Sequence, residues 1–224
     1  MIDITDIDYL GVERVLKRGT GEILEGYENA LLVRDKASEA FFLICKDEKL
    51  GISLLEKHIH HCNLLMVSNL NLGKIVFEKY GFSEKLECFQ VAYYGELPVT
   101  NSDILVKAAD RQDIPLLIKT YDLISPEEME EVVRNGNLLL GYYQERLVGF
   151  IGEHLEGSMG LLYIFPEFRR KGFAAVLEKI YIAKTIEKGF IPFGQVEKNN
   201  HESLNLQKKI GMTQSENLIC WMWR

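Results

Sequence analysis

An apolar run that leads into a basic turn and then into a long helix restricts the folds open to this chain. The run Gly160–Phe165 is almost wholly apolar, which predicts a strand buried on both faces. Pro166 ends its hydrogen-bond ladder, and a helix is expected from about Gly172 to Lys188, where Gly189 suits the C-cap. A further strand is expected over Ile191–Val196. This strand–helix–strand order predicts at least one parallel pair of strands.

Strands and helices alternate along the rest of the chain. In the C-terminal half, strands are expected over Ile104–Ala108, Leu138–Tyr143, Arg146–Gly152 and Leu218–Trp223, and helices near Asp110, from Ser125 and over His201–Ile210. In the N-terminal half, strands are expected over Ala40–Cys45, Leu64–Val67 and Glu87–Tyr94, and helices over Glu48–His60 and Leu70–Tyr80. These elements predict an α+β fold with a mixed sheet.

The two halves share a weak pattern of strand, asparagine, helix and glycine. A shift of 130 positions places Asn69 on Asn199 and Gly81-Phe82 on Gly211-Met212. We interpret the pattern as a degenerate internal repeat. Two unrelated α/β halves are the alternative.

Residues 95–103 are rich in turn formers and follow a strand-like run. A new strand pattern begins directly after them. The sequence therefore predicts a domain boundary near residue 100, with one domain over 1–100 and a second over 103–224.

The composition argues against several classes of protein. The chain has 224 residues, of which 47% are hydrophobic and 26% charged, as is typical of globular domains. Its net charge of −7 argues against general binding of DNA or RNA. No apolar run approaches the roughly 18 residues of a membrane span, and the acidic start lacks the features of a secretory signal. The four cysteines form no C-x-x-C pair, so we expect a cytoplasmic protein with reduced thiols.

The basic turn before the long helix predicts an anion site. Arg169, Arg170 and Lys171 supply positive charge at a helix N-terminus, where free N–H groups and the helix dipole favour phosphate. Gly172 allows a close approach of the backbone, and Ala174 keeps the surface small. A pyrophosphate at the end of the strand is therefore expected. A solvated run of charges is the alternative.

The same residues resemble a known signature. Arg169, Gly172 and Ala174 match the Gln/Arg-x-x-Gly-x-Gly/Ala pattern that binds acetyl-CoA in the GNAT superfamily of N-acyltransferases. Residues 199–212 are similar to a second family element. That element consists of an asparagine, a helix, and a glycine followed by a large apolar residue. The resemblance covers about 103–224, and the first half looks like a truncated copy without the phosphate signature. It implies tandem GNAT-like units, with the degenerate one at 1–100 and the acetyltransferase domain at 103–224. The nearest resemblance is to the two-domain glycine N-acyltransferase-like proteins.

The resemblance implies how a co-substrate, acetyl-CoA, is bound. The backbone of Leu162, Tyr163 and Ile164 is expected to pair with the pantetheine arm, and an N–H of that strand to polarise the thioester carbonyl. The pyrophosphate is expected on Arg169, Arg170, Lys171, Gly172, Phe173 and Ala174, with the amide of Ala175 also in the set. Asn200 and Ser203 are expected near the pantetheine or the departing thiol. The amine then attacks the thioester directly in a ternary complex.

The sequence departs from the family where a general acid is expected. Gln207 replaces the tyrosine that many members carry four residues before the closing glycine. Tyr163 is our candidate for that acid, although an aromatic that lines the core or the cofactor is the alternative. Glu153 is our candidate base, with His154 and Glu156 as further candidates. Each of these three is also explained as a solvated turn residue, and a water chain would need no dedicated base. Ser158, on the same loop, is a candidate contact for the acceptor.

The sequence favours acetylation of a small-molecule amine or an amino acid. A protein N-terminus or lysine is an alternative acceptor, and a non-catalytic CoA-binding sensor or interaction module is an alternative function. No metal is expected, since the cluster His58–Cys62 lacks partner ligands at zinc-like spacing and is interpreted as a polar helix end. Neither a nucleic acid nor a membrane is expected as a partner, and the sequence leaves a homodimer open.

Overall fold

The computed structural model describes residues 2–100 and 103–224. Its α-helices are α1 (Leu10–Lys17), α2 (Glu48–Glu56), α3 (Leu70–Tyr80), α4 (Ile114–Thr120), α5 (Pro126–Arg134), α6 (Phe173–Glu187) and α7 (His201–Ile210). Its strands are β1 (Gly21–Gly26), β2 (Ala30–Asp35), β3 (Phe41–Cys45), β4 (Leu64–Val67), β5 (Glu84–Ala92), β6 (Leu105–Ala108), β7 (Leu138–Tyr143), β8 (Arg146–Glu153), β9 (Met159–Ile164), β10 (Phe193–Glu197) and β11 (Thr213–Trp223). Short 3₁₀ turns lie at Ile7–Tyr9, Ile59–His61 and Pro166–Phe168. The expected α+β class with mixed strand pairing is confirmed.

The chain divides into two compact units. Unit 1 is Met1–Ala92 with Gln195–Arg224, and unit 2 is Tyr93–Gly194, so that the division falls inside β10. This division follows packing, whereas the domains expected over 1–100 and 103–224 follow the turn-rich segment at 95–103. The boundary near residue 100 stays a prediction.

The sheet of unit 1 runs in the order β1, β2, β3, β4, β11, β5. Strands β3 and β4 are parallel, and β11 is antiparallel to both of its neighbours. The side chains of β11 alternate between two apolar clusters, one on each face of the sheet. Cys220 and Met222 belong to the cluster beside α2 and α3, while Ile219 and Trp221 belong to the cluster beside α1.

Helices α3 and α7, both in unit 1, begin and end in the same way. The side chains of Asn69 and Asn200 each accept a hydrogen bond of 3.0 Å from the backbone N–H three residues later. Gly81 and Gly211 end the two helices in the left-handed region. The equivalence of Asn69 with Asn199 is therefore wrong by one residue, because α7 has 10 residues and α3 has 11.

Unit 2 contains an antiparallel meander, β6 to β9. The turn between β7 and β8 has positive φ angles at Gln144 and Glu145, as a tight hairpin turn requires. Strand β9 then pairs in parallel with β10 at Met159 and Gly194, the parallel pair expected from the sequence. Helices α4, α5 and α6 pack on this meander.

No helix in residues 2–100 and 103–224 is long and apolar enough to cross a membrane.

Candidate functional site

Strand β9 carries a bulge at Leu161. Phe150 lies opposite Tyr163 and Gly152 lies opposite Gly160, so three steps along β9 match two along β8. Leu161 has a φ angle of +50°, which is an unfavourable region for a leucine. Backbone strain of this kind persists where the surrounding structure holds it, and functional sites are the usual places.

The prediction that this strand is buried on both faces is wrong. Leu161 is 1% exposed, but Leu162, Tyr163, Ile164 and Phe165 are only half-buried. An apolar run indicates which residues prefer to avoid water, but it does not identify what covers them. The half-covered run leaves apolar surface for a ligand.

The chain turns from β9 into α6 through two left-handed residues. Arg170 has a φ of +58° and Gly172 a φ of +86°. A Cβ on Gly172 would meet nothing within 4 Å, so the glycine is needed for its backbone conformation and the space above it is open. Successive backbone N–H groups in such turns form concavities that bind anions.

The N-terminus of α6 follows this turn without a side-chain cap. Near the turn, the N–H of Val176 donates to the carbonyl of Gly172 at 3.3 Å. The N–H groups of Phe173, Ala174 and Ala175 therefore have no intrahelical acceptor. This helix end suits an anion, as the sequence predicts.

The three cations of the turn have different surroundings. Arg169 donates from Nε to the carbonyl of Ile164 at 3.0 Å, and its guanidinium lies 5.6 Å from the ring centre of Tyr163. This contact ties the turn to the end of β9, a role that the sequence analysis did not predict. Arg170 and Lys171 are exposed, and the Lys171 ammonium lies 5.5 Å from the ring centre of Phe168.

Tyr163 belongs to an aromatic cluster. Its ring stacks on Phe150 with centres 5.5 Å apart and meets Phe165 edge-on at 5.3 Å. Phe150 in turn contacts Tyr121 at 6.0 Å. These contacts make Tyr163 part of an aromatic surface along β9. Its catalytic role stays a prediction.

The carboxylates at the end of β8 and in the turn after it are not solvated turn residues. Glu153 and Glu156 are each only 7% exposed, and Ser158 is 1% exposed. The Ser158 hydroxyl donates to the carboxylate of Glu156. Burial lowers the pKa of Lys184, as does Lys188, while the carboxylate of Glu153 opposes this shift. Glu153 therefore has a cation close by, and its role as a base stays a prediction.

His154 lies between a carboxylate and the bulged strand. Its Nδ1 is 3.1 Å from Oε1 of Glu128 on α5. Its Nε2 lies 2.8 Å from the position that a Cβ on Gly160 would occupy. Burial alone would lower the pKa of His154, but the hydrogen bond to Glu128 and the charges of Glu156 and Glu128 outweigh it, so the pKa is raised.

The remaining residues expected at the site lie at the start of α7, in unit 1. Asn200 uses its side-chain oxygen to cap the helix at the N–H of Ser203, and Gln207 is buried on the same helix. The assignment of Asn200 and Ser203 to the cofactor stays a prediction. In the part of the chain that the structure describes, no group of three or more His, Cys, Asp or Glu side chains is placed to hold a metal ion.

Comparisons with known proteins give one family match and several structural matches. Residues 139–222 match a family model described as FR47-like protein. A Drosophila protein structure is 13% identical, with a TM-score of 0.67 over 100% of this chain and 97% of that chain. A GCN5-related N-acetyltransferase from Kribbella flavida is 8% identical, with a TM-score of 0.62 over 100% and 96%. A tandem GNAT protein from the clavulanic acid biosynthesis pathway is 10% identical, with a TM-score of 0.50 over 96% and 86%.

These matches define the fold. The chain has the fold of the GCN5-related N-acetyltransferases, and the expected tandem GNAT-like arrangement is confirmed. No curated protein matches the sequence. The glycine N-acyltransferase-like subtype stays a prediction.

Proposed function

We propose that this chain is an N-acetyltransferase of the GNAT superfamily, which transfers an acetyl group from acetyl-CoA to a small-molecule amine or an amino acid. One observation carries the proposal: the bulged, half-covered strand β9 leads directly into the uncapped basic turn at the start of α6. A fold of this class joined to an anion site at the end of that strand supports acyl transfer from a phosphate-bearing thioester.

The residues of unit 2 fit such a co-substrate. The backbone amides of residues 170–175 would hold the pyrophosphate, since the helix end has no side-chain cap and the space above Gly172 is open. Leu162, Tyr163 and Ile164 would line the pantetheine with the apolar surface they leave uncovered. When bound, acetyl-CoA supplies an acetyl group activated as a thioester.

The bulge at Leu161 supplies a second chemical element. A bulge takes one residue out of the regular ladder and redirects its backbone groups. An N–H freed in this way can donate a hydrogen bond to an oxygen on which negative charge develops, without reorganisation at the moment of reaction. The strain of a left-handed leucine is consistent with a backbone held for this purpose.

The first experiment measures thermal stability with and without acetyl-CoA. At a hundredfold excess over Kd, binding adds about 2.7 kcal/mol to the stability of the native state. For a chain of this size this is a rise in Tm of roughly 5–10 °C. Gly172→Asp should abolish the rise, because it places a negative charge beside the expected pyrophosphate.

Two further variants separate the loss of the anion site from the backbone strain that any side chain at a left-handed glycine causes. Gly172→Asn has nearly the same shape without the charge and should retain part of the shift. Gly189→Asp provides a matched control at the other end of α6, because Gly189 has a φ of +81° and open space around it, as Gly172 does. Gly189→Asp should lower Tm but keep the full acetyl-CoA shift.

Turnover separates an enzyme from a binding module. Release of the CoA thiol is measured with glycine, the other protein amino acids, spermidine and phenylethylamine. Acetylation of any of them supports the proposal. A thermal shift without turnover of any amine would favour a CoA-binding sensor, and no shift at millimolar acetyl-CoA would contradict the acyltransferase assignment.

A further inference from the structure

The turn between β8 and β9 holds His154 in a defined position. The N–H of His154 donates to the carbonyl of Ser158 at 2.9 Å, and the N–H of Gly157 donates to the carbonyl of His154 at 2.9 Å. Gly157 takes a φ of +98°, which closes the turn. The imidazole is therefore carried on a rigid hairpin end and not on a loose loop.

The hydrogen bond to Glu128 fixes which ring nitrogen carries the proton. A carboxylate accepts hydrogen bonds and does not donate them, so Nδ1, 3.1 Å from Oε1 of Glu128, bears hydrogen. In the neutral imidazole, Nε2 then has a free lone pair. Within the described residues no hydrogen-bond partner is found for Nε2.

The Nε2 atom lies close to β9, beside the bulge. A Cβ at Gly160 would be 2.8 Å from Nε2 and 3.0 Å from Cδ2 of His154, so a side chain there would require the ring to move. Gly160 directly precedes Leu161, the residue with the left-handed backbone. The imidazole therefore adjoins the part of the strand where the proposed function places the thioester carbonyl.

The charged groups around His154 are mainly acidic. Glu128 faces it from α5 and Glu156 from its own turn, and both stabilise a positive charge on the ring. Tyr121 lies beside Glu128, and burial together with the charges of Glu128 and Asp122 raises its pKa to about 12, so it stays neutral. Such surroundings favour a cationic amine and a ring that can accept its proton.

We propose that His154 is the general base that deprotonates the acceptor amine, and that Glu128 is the residue that positions it. This inference rests on the proposed function and replaces Glu153 as the base. One N–H bond of the acceptor's ammonium group breaks, and its electron pair stays on the amine nitrogen. The proton is carried by Nε2 as imidazolium, stabilised by Glu128, and then passes to solvent.

Two observations favour His154 over the other candidates. Glu153 lies near enough to the ammonium of Lys184 to interact with it electrostatically. The ring of Tyr163 is held between Phe150 and Phe165. Neither arrangement presents a free proton acceptor beside Gly160, whereas Nε2 of His154 does.

The first test needs no activity. The pKa of His154 is measured by NMR titration of its ring protons in the full chain. We expect the pKa to lie above that of an ordinary histidine in the native protein and to fall in Glu128→Gln. Glu130→Gln, an exposed acid on the same helix, should leave it unchanged. An unchanged pKa in Glu128→Gln would overturn the positioning role of Glu128.

The second test measures kcat/KM against pH with the panel amine that is acetylated fastest. His154→Gln should lower kcat/KM by about 10²–10⁴-fold while the acetyl-CoA thermal shift persists. Glu128→Gln should move the acidic limb of the profile to lower pH, which a purely structural role would not do. Activity of His154→Gln within threefold of the native protein, with an unchanged profile, would overturn the proposal.

The two proposals fail in different ways. A native protein that neither turns over any amine nor gains stability from acetyl-CoA would contradict the proposed function, and with it the catalytic role of His154. An active native protein whose His154→Gln variant is equally active would contradict only the choice of base.

Discussion

Leu161 and Gly160 each adopt the backbone conformation that is usual for the other residue type. Leucine takes a left-handed backbone that glycine would adopt freely, while glycine occupies the ordinary strand position beside it. The contact with His154 explains the second choice, since any side chain at Gly160 would collide with the ring. We therefore expect the position of the histidine ring to depend on Gly160.

Gly160→Ala tests this dependence. The added methyl group would lie 2.8 Å from Nε2 of His154, so the ring has to move and its hydrogen bond to Glu128 weakens. We expect a loss of stability of about 1–3 kcal/mol and a lower pKa of His154. Urea unfolding and NMR titration measure the two effects. If the pKa of His154 in Gly160→Ala equals that in the native protein, the position of the ring does not depend on the glycine.

The pair of His154 and Glu128 also predicts a dependence of stability on pH. The pKa of His154 is raised in the folded state by Glu128 and Glu156, against the opposing effect of burial. The stabilisation is therefore fully present below the unfolded pKa, about 6.5, and is lost as pH rises through the folded value. Glu128→Gln should lower the free energy of unfolding more at pH 6 than at pH 9. Equal losses at both pH values in urea titrations would contradict the pairing.

Residue types indicate only part of the candidate site, whose assignment stays a prediction. Gly172 and the three cations before α6 could be predicted because their chemistry is contained in a few consecutive positions. The left-handed backbone at Leu161 could not, because no property of leucine signals it. The pair of Glu128 and His154 spans 26 positions, so it depends on tertiary packing that the sequence does not display.

The ends of helices and strands followed the sequence where local chemistry determines them. Ser125 accepts a hydrogen bond from the N–H of Glu128, as its place before a proline predicts, and Gly81 and Gly211 end their helices. Helix α1 and the hairpin β1–β2 were not predicted. The helix expected over 48–60 ends at Glu56 and continues as a 3₁₀ turn.

Strand β11 offers a matched pair of tryptophans with opposite surroundings. Trp221 is 8% exposed and contacts Phe42 edge-on at 5.6 Å, whereas Trp223 is 39% exposed. Trp221→Ala should cost about 3–5 kcal/mol of stability through the cavity it leaves, and Trp223→Ala less than about 1 kcal/mol. Urea unfolding measures both. Equal losses would contradict the orientation of the strand.

The assembly of unit 1 depends on two distant parts of the chain. Strand β11 lies between β4 and β5, with Thr213 opposite Ala92 and Trp223 opposite Glu84. The sequence predicted each of these strands, but hydrophobic alternation indicates only which face is buried and not which strand is the neighbour. The order of the elements along the sequence therefore favours two contiguous domains. In the structure, packing groups residues 195–224 with the first 92.

This placement has a consequence for synthesis. While the first 92 residues leave the ribosome, the edges of β4 and β5 that pair with β11 in the native sheet are unpaired, and the apolar clusters lack Ile219 to Met222. The nascent N-terminal half therefore keeps exposed strand edges until residues 213–223 are synthesised. Translation pausing or chaperone binding in that interval would determine how much of the protein reaches its native form.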